Sequence, residues 1–286
     1  MRYETPDTLE AAAKLLAGAS GDARVLAGGT DLLVQMKAEV LTPTLIVDIK
    51  RIAETRTIKE EAGGFRIGAA VTGAELKEHA KLKAAWPGLV EAANLIGSTQ
   101  VQGRATMGGN LCNGSPAADS VPALIAASAV ASVVGPTGRR DIKVEDVMLA
   151  PRKLALQKGE IIASFFIPAK PAHTGDAYLR FIPRTEMDIA VVGCGVALTL
   201  DNAGVCTAAR VSLGAVAARP LLVADAAKAL IGTKIDDAAI AKLEAAAKAA
   251  CSPIDDKRGT KEFRIDVAGV LARRTALIAL ERARKN

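Results

Sequence analysis

"RATMGGNLCNGSPAADSVPAL", residues 104–124, decides how the rest of the chain is read. It sets a Gly-Gly-Asn among small polar residues and prolines, between a helical run ending near Gly97 and an apolar run starting at Val121. Its side chains are too small to build a core, and it is too short and interrupted to be a linker. An earlier stretch, "VLAGGTDLLVQMK" at residues 25–37, repeats the recipe. There an extended segment ends in Gly28-Gly29, Thr30 and Asp31 follow, and an apolar segment leaves. Glycines let successive backbone N–H groups converge on one point, and they remove the Cβ atoms that would hold a ligand away. Thr30 in the first loop and Thr106 in the second add hydroxyls, beside Gly108, Gly109 and Asn110. Each loop alone also reads as a tight turn, whereas the pair, with matched content, favours a shared anionic ligand. Donors of this kind without an obligatory lysine suit a diphosphate that is held as part of a cofactor. No GxxxxGK[ST] occurs, which disfavours phosphoryl transfer, and Gly193-Cys194-Gly195 is not a dinucleotide fingerprint because Leu198 stands where the third glycine belongs.

Composition narrows the class further. Half of the 286 residues are apolar, so a sizeable core can be buried. The net charge of +6 is compatible with an acidic partner or an anionic cofactor. Nucleic acid is disfavoured, because aromatic residues make up only 3% of the chain and base stacking needs aromatic platforms. The opening MRYETPDTLEAAAKLL carries early charge and a helical pattern, which predicts neither a signal peptide nor a membrane span. Cys112, Cys194, Cys206 and Cys251 are far apart with no CxxC pair, so we expect a cytoplasmic protein with buried, reduced thiols and no iron–sulfur cluster of its own.

Short strand and helix signals alternate from the start, which argues for a mixed α/β (α+β) class. TLEAAAKLLA and GAELKEHAKL read as helices, and ARVLAG, TLIVDI, FRIGAAV, SAVASVVG and GEIIASFFIP as strands. The Pro-rich segment at 168–177 is the expected boundary. Beyond it come two strands (Asp188 to Leu200 and Val205 to Leu213) joined by the turn DNAG, then three helices, the last from about Asp266 to Arg284.

These loops, with LALQKGEIIASFFIP, YLRFIPRTEMDIAVVG and GAVAARP, resemble in order and spacing the FAD-binding medium subunit of the molybdenum hydroxylases, the xanthine dehydrogenase and aerobic carbon monoxide dehydrogenase family. The resemblance covers essentially the whole chain. It implies a vanillyl-alcohol-oxidase-type FAD-binding domain at 1–172, made of two α/β subdomains (about 1–55 and 56–172), and a C-terminal α/β domain at 173–286. It also implies an electron-transfer subunit that binds FAD, with molybdopterin in a large partner subunit and 2Fe-2S clusters in a small one. The expected assembly is a dimer of heterotrimers that passes electrons to an external acceptor. By resemblance, Ala27, Gly28, Gly29, Thr30, Asp31 and Leu32 wrap the pyrophosphate from one side, and Thr106, Gly108, Gly109 and Asn110 from the other. Asp119 falls where the family places a carboxylate near the adenosine ribose; without the resemblance it reads as a helix N-terminal charge. Ile162 and Arg180 match positions at the flavin end, and otherwise read as core and as a surface strand charge. Gln102-Gly103-Arg104 departs from the family's usual Ile-Arg-Asn, which leaves the approach to the second loop open. His79 and His173 match no family site and read as solvated. No acid–base set can be assembled, which disfavours the rival reading, a self-contained flavin oxidoreductase on the same fold.

Overall fold

The computed structural model describes all 286 residues. The chain first builds a small parallel sheet from β1 (Arg2–Glu4), β2 (Ala23–Leu26) and β3 (Leu45–Asp48), in the order β1-β3-β2. Parallel neighbours need crossovers, and α1 (Leu9–Ala17) and α2 (Leu32–Lys37) provide them. Helix α1 begins where the Thr8 hydroxyl accepts from the Ala11 amide, and it buries Leu9, Ala12, Ala13 and Leu16 on one face. Helix α2 buries none of its residues.

After α3 (Ala53–Arg56) comes an antiparallel sheet of order β4-β5-β10-β6-β7. Its strands are β4 (Ile58–Glu61), β5 (Gly64–Gly68), β6 (Val130–Gly135), β7 (Gly138–Lys143) and the late-coming β10 (Ile161–Ile167), which is the central one. Helices α4 (Gly73–Glu78), α5 (Ala80–Ala85), α6 (Pro87–Ala93), α7 (Thr99–Gln102), α8 (Met107–Cys112) and α9 (Ser120–Ala126) fill the long connection from β5 to β6. The helix expected over GAELKEHAKL is broken in two. His79 leaves helical geometry, and its Nδ1 accepts from the Leu82 amide to cap α5 while its ring meets Phe65 edge-on. That corrects the reading of His79 as merely solvated; His173 is exposed as expected. Short α10 (Val144–Val147), β8 (Met148–Ala150) and β9 (Lys153–Leu154) close this unit.

The third sheet runs β11-β12-β13-β14, all antiparallel, over β11 (Thr174–Phe181), β12 (Val192–Leu200), β13 (Cys206–Gly214) and β14 (Leu221–Leu222). Residues 188–191, expected in β12, lie outside it, and β11 begins inside the Pro-rich boundary segment. The DNAG turn forms as read: the Asp201 carboxylate accepts from the Ala203 and Val205 amides, and Gly204 takes φ +76. Helices α11 (Ala224–Leu230), α12 (Asp237–Ala249) and α13 (Lys261–Lys285) cover the sheet. Helix α13 starts earlier than its apolar pattern suggests, because Thr260 caps it by accepting from the Phe263 amide. In β12, Gly193 and Gly195 serve packing: a Cβ would come within 2.6 Å of the Tyr178 hydroxyl at the first and 2.5 Å of the Pro122 carbonyl oxygen at the second.

Candidate cofactor site

Both glycine loops open into a single cavity of about 470 Å³ between the first two sheets. Ala27 to Leu32 form one wall, at the C-terminal end of β2, and Thr106, Gly108, Gly109 and Asn110 form the facing wall at the start of α8. Ile162, on central strand β10, closes the floor. The glycines are where they are for steric reasons. A Cβ on Gly28 would lie 2.0 Å from the Arg104 carbonyl oxygen, and one on Gly108 would lie 2.4 Å from that of Ala69. Gly29 takes φ +78, which side chains with a Cβ rarely adopt.

Buried backbone donors are normally paired, so unpaired ones lining a cavity point to a ligand. The amides of Gly28, Gly29, Thr30, Asp31 and Leu32 donate to no group of the protein, and neither does that of Gly108. Gly109 differs from expectation. Its amide donates to Thr106 Oγ1 at 2.9 Å, so that hydroxyl caps α8 and keeps only its own proton for a ligand. Asn110 Oδ1 is likewise occupied, accepting from the Ser120 amide and hydroxyl and so tying α8 to α9. Gln35 on α2 donates to Asn113 at the end of α8 at 3.0 Å, which bridges the two walls.

Several lining residues escaped the sequence reading. Ala69 and Ile96 look like ordinary core. Arg152 takes φ +60 in the β8–β9 turn, its amide donates to the Gly114 carbonyl, and its guanidinium pairs with no carboxylate. Glu160 is paired with Arg140 at 2.6 Å, and that hydrogen bond holds its carboxyl below the usual range. Cys112 was expected to be buried. It is exposed instead and opens into the cavity. Asp31 also faces the opening, and the surrounding walls raise its carboxyl above the usual value.

Two expected site residues stand apart from this cavity. Asp119 and Arg180 line no part of it. They pair with each other at 2.7 Å, with side chains 10% and 5% exposed, and the Tyr178 hydroxyl donates to the same carboxylate at 3.0 Å. In place of a contact with the cavity, the two side chains join α9 to β11, so a role for Asp119 toward a ribose and for Arg180 toward a flavin edge stays a matter of the resemblance. Asp119 does start α9, as the simpler reading had it, but its side chain caps nothing there.

Comparison with known proteins fits this architecture. The family model described as the FAD binding domain in molybdopterin dehydrogenase matches residues 1–170. The chain belongs to this flavoprotein family. A second family model, the CO dehydrogenase flavoprotein C-terminal domain, matches residues 177–279 of the flavoprotein. The carbon monoxide dehydrogenase medium chain of Afipia carboxidovorans is 35% identical over 99% of this chain and 96% of its own length. The xanthine dehydrogenase FAD-binding subunit of Escherichia coli O157:H7 is 31% identical over 95% and 93%. Among solved structures, reconstituted CO dehydrogenase from Oligotropha carboxidovorans superposes with a TM-score of 0.94 at 34% identity, covering 99% of this chain and 98% of the other. Quinoline 2-oxidoreductase from Pseudomonas putida 86 superposes at 0.90 with 27% identity and the same coverage. The flavoprotein is thus of the oxidoreductase class, and no helix in it is long and apolar enough to cross a membrane.

Proposed function

We propose that this chain binds FAD and serves as the electron-transfer flavoprotein of a multi-subunit molybdenum hydroxylase. The observation that carries the reading is the run of unpaired amides from Gly28 to Leu32, facing that of Gly108 across one cavity. A diphosphate needs such donors, and the missing Cβ atoms leave room for it. Thr30 and Thr106 offer hydroxyl protons to the same group. Arg152 supplies a compensating cation, and the apolar side chains of Leu32, Ile96 and Ile162 give walls for planar rings. Bound FAD supplies the electron exchange itself, and the chain holds and shields it.

The same reading extends to a large molybdopterin subunit, a small 2Fe-2S subunit, a dimer of such heterotrimers, an external acceptor and a cytoplasmic setting. Support comes from the whole-length likeness to medium chains. Denaturing the purified full chain and chromatographing the released small molecules gives near-equimolar FAD; FMN alone, or no flavin after reconstitution, overturns the assignment. Reduction of that flavin on adding the complex's substrate requires the two other subunits. Rapid bleaching by this chain alone would promote the self-contained oxidoreductase instead.

A further inference from the structure

A second, smaller pocket of about 280 Å³ lies behind the first glycine loop and shares Gly28 with the larger cavity. Its character is different. Lys50, Arg56 and Arg104 surround it, with Thr72 and Gly103, and Ala70 is its one apolar residue. Two of the cations are held in place by partners that leave donors to spare. Lys50 Nζ donates to Asp48 at 2.8 Å, where Asp48 is only 6% exposed, and a lysine has three such protons. Arg56 donates to the Ala70 carbonyl and, at 2.6 Å, to Glu75, out of the five protons of a guanidinium. The third cation, Arg104, has no side-chain partner, and its backbone is fixed because its carbonyl oxygen sits directly under Gly28. Three cations against the Asp48 and Glu75 carboxylates leave one positive charge uncompensated. Arg51 adds to the field: against the Asp48 hydrogen bond that raises the Tyr3 hydroxyl, both Arg104 and Arg51 pull the other way.

The walls are fixed rather than loose. Ala70 donates to the Thr55 carbonyl, Gly73 to the Ala105 carbonyl, and Thr72 is tied into a capping box with Glu75. Cations already oriented by neighbours lose little freedom on taking up an anion, which is what makes a binding site out of a cluster of charges. With a single alanine as apolar surface, the pocket offers no platform for a base or a ring, so a nucleotide or flavin is excluded as its ligand. Tetrahedral oxyanions match convergent guanidinium and ammonium donors.

From this geometry we infer that the pocket of Lys50, Arg56 and Arg104 is a second anion site, distinct from the FAD cavity, that takes a phosphate-class oxyanion. The anion is either inorganic phosphate or the monoester group of a small polar phosphate compound. The inference does not depend on what fills the larger cavity.

Amide shifts of the isotope-labelled full chain, followed by NMR during titration, test it. Inorganic phosphate, glycerol phosphate and chloride are compared at equal ionic strength, with the chain saturated with FAD and again without it. Saturable shifts at Lys50, Arg56, Gly103 and Arg104 with either phosphate, but not with chloride, are expected in both states. Tighter binding of glycerol phosphate identifies a monoester as the better ligand, and tighter binding of inorganic phosphate the free ion. Arg104→Gln should weaken the affinity about tenfold or more, one charge-assisted contact being lost, while FAD stoichiometry stays at the parent value. Arg104→Lys should retain binding within about threefold, because the charge stays in the pocket. Shifts confined to the two glycine loops and abolished by FAD would place the anion in the cofactor cradle and overturn the inference. So would shifts that chloride reproduces, or an Arg104→Gln affinity equal to the parent's. Failure of the chain to hold FAD at all would count against the cofactor assignment only, since the shifts at Lys50 and Arg56 would still be read.

Discussion

At Gly28 a single added methyl group would meet the Arg104 carbonyl oxygen at 2.0 Å, and backbone cannot give way cheaply. Gly28→Ala should therefore distort the loop, cost about 1–3 kcal/mol of stability and abolish FAD retention. Gly109 is the contrasting residue. A Cβ there meets only the Thr106 hydroxyl oxygen at 3.1 Å, and the Gly109 amide is already used in capping α8. Gly109→Ala should leave the fold intact and weaken FAD far less than Gly28→Ala. Thermal melts and the flavin-to-protein absorbance ratio of the two variants check both statements together; equal flavin loss in the two would mean that steric access at the second loop matters as much as at the first. Sequence alone ranks these glycines equally, because it does not show which amide is spent inside the protein.

Among the elements, α13 has the most to hold together. Its small residues Ala272, Ala276, Ala279 and Ala283 are fully buried against the third sheet, and a Cβ on Gly175 of β11 would lie 1.9 Å from the Ala279 carbonyl oxygen. The helix thus lies directly on the strand backbone, and its alanines are core. Two of its basic residues are also engaged: Arg273 pairs with Glu244, and Arg282 with Glu91 while donating to the Asp176 carbonyl. Near its start, Arg264 is 3% exposed and joins three segments, donating to the Val191 and Ala215 carbonyls and pairing with Asp256 at 2.7 Å. Arg264→Met should destabilise the chain by about 3 kcal/mol, because the buried Val191 carbonyl loses its donor and Asp256 and Ala215 lose the arginine that ties them together. Urea denaturation measures it, and a loss under about 1 kcal/mol would show that water replaces the arginine.

For the molecule as a whole, the seam between the FAD-binding unit and the third sheet is a packed polar contact. Helix α9 rests on β12 and β13, and α6 on β11, where Asp176 accepts from the Leu89 amide and from Lys170 at 2.8 Å. Asp119 and Arg180 meet in the same seam. Burial pushes the Asp119 carboxyl up to about 6, against the lowering effects of Arg180 and Tyr178. A folded value above the unfolded one means the native state binds more protons between pH 4 and 6. The contribution of Asp119 to stability is then full below about pH 4 and is lost as pH rises through about 6. Relative to the non-titrating Asp119→Asn variant, the parent's advantage should shrink by up to about 3 kcal/mol between pH 4 and pH 7. Parallel denaturation curves of the two proteins across that range read it directly, and an advantage that grows with pH would mean the ion pair outweighs desolvation.

The two glycine loops, the mixed α/β class and most strands were legible in the sequence because their causes are local. A diglycine after a short apolar strand, a threonine cap or a DNAG turn acts through neighbours a few residues away. Residues 25–37 and 104–124 therefore announced a backbone cradle, and Thr30, Gly108 and Ile162 were found lining it. Long-range geometry decided the remainder. Arg152 reaches the cavity only because the β8–β9 turn hangs on Gly114, and Lys50 and Arg56 gather with Arg104 only when two distant segments meet behind Gly28. Asp119 and Arg180 lie 61 positions apart, and nothing near either one signals the other. Charges are placed by the burial and partners that tertiary packing provides, and those are set by residues distant in the chain.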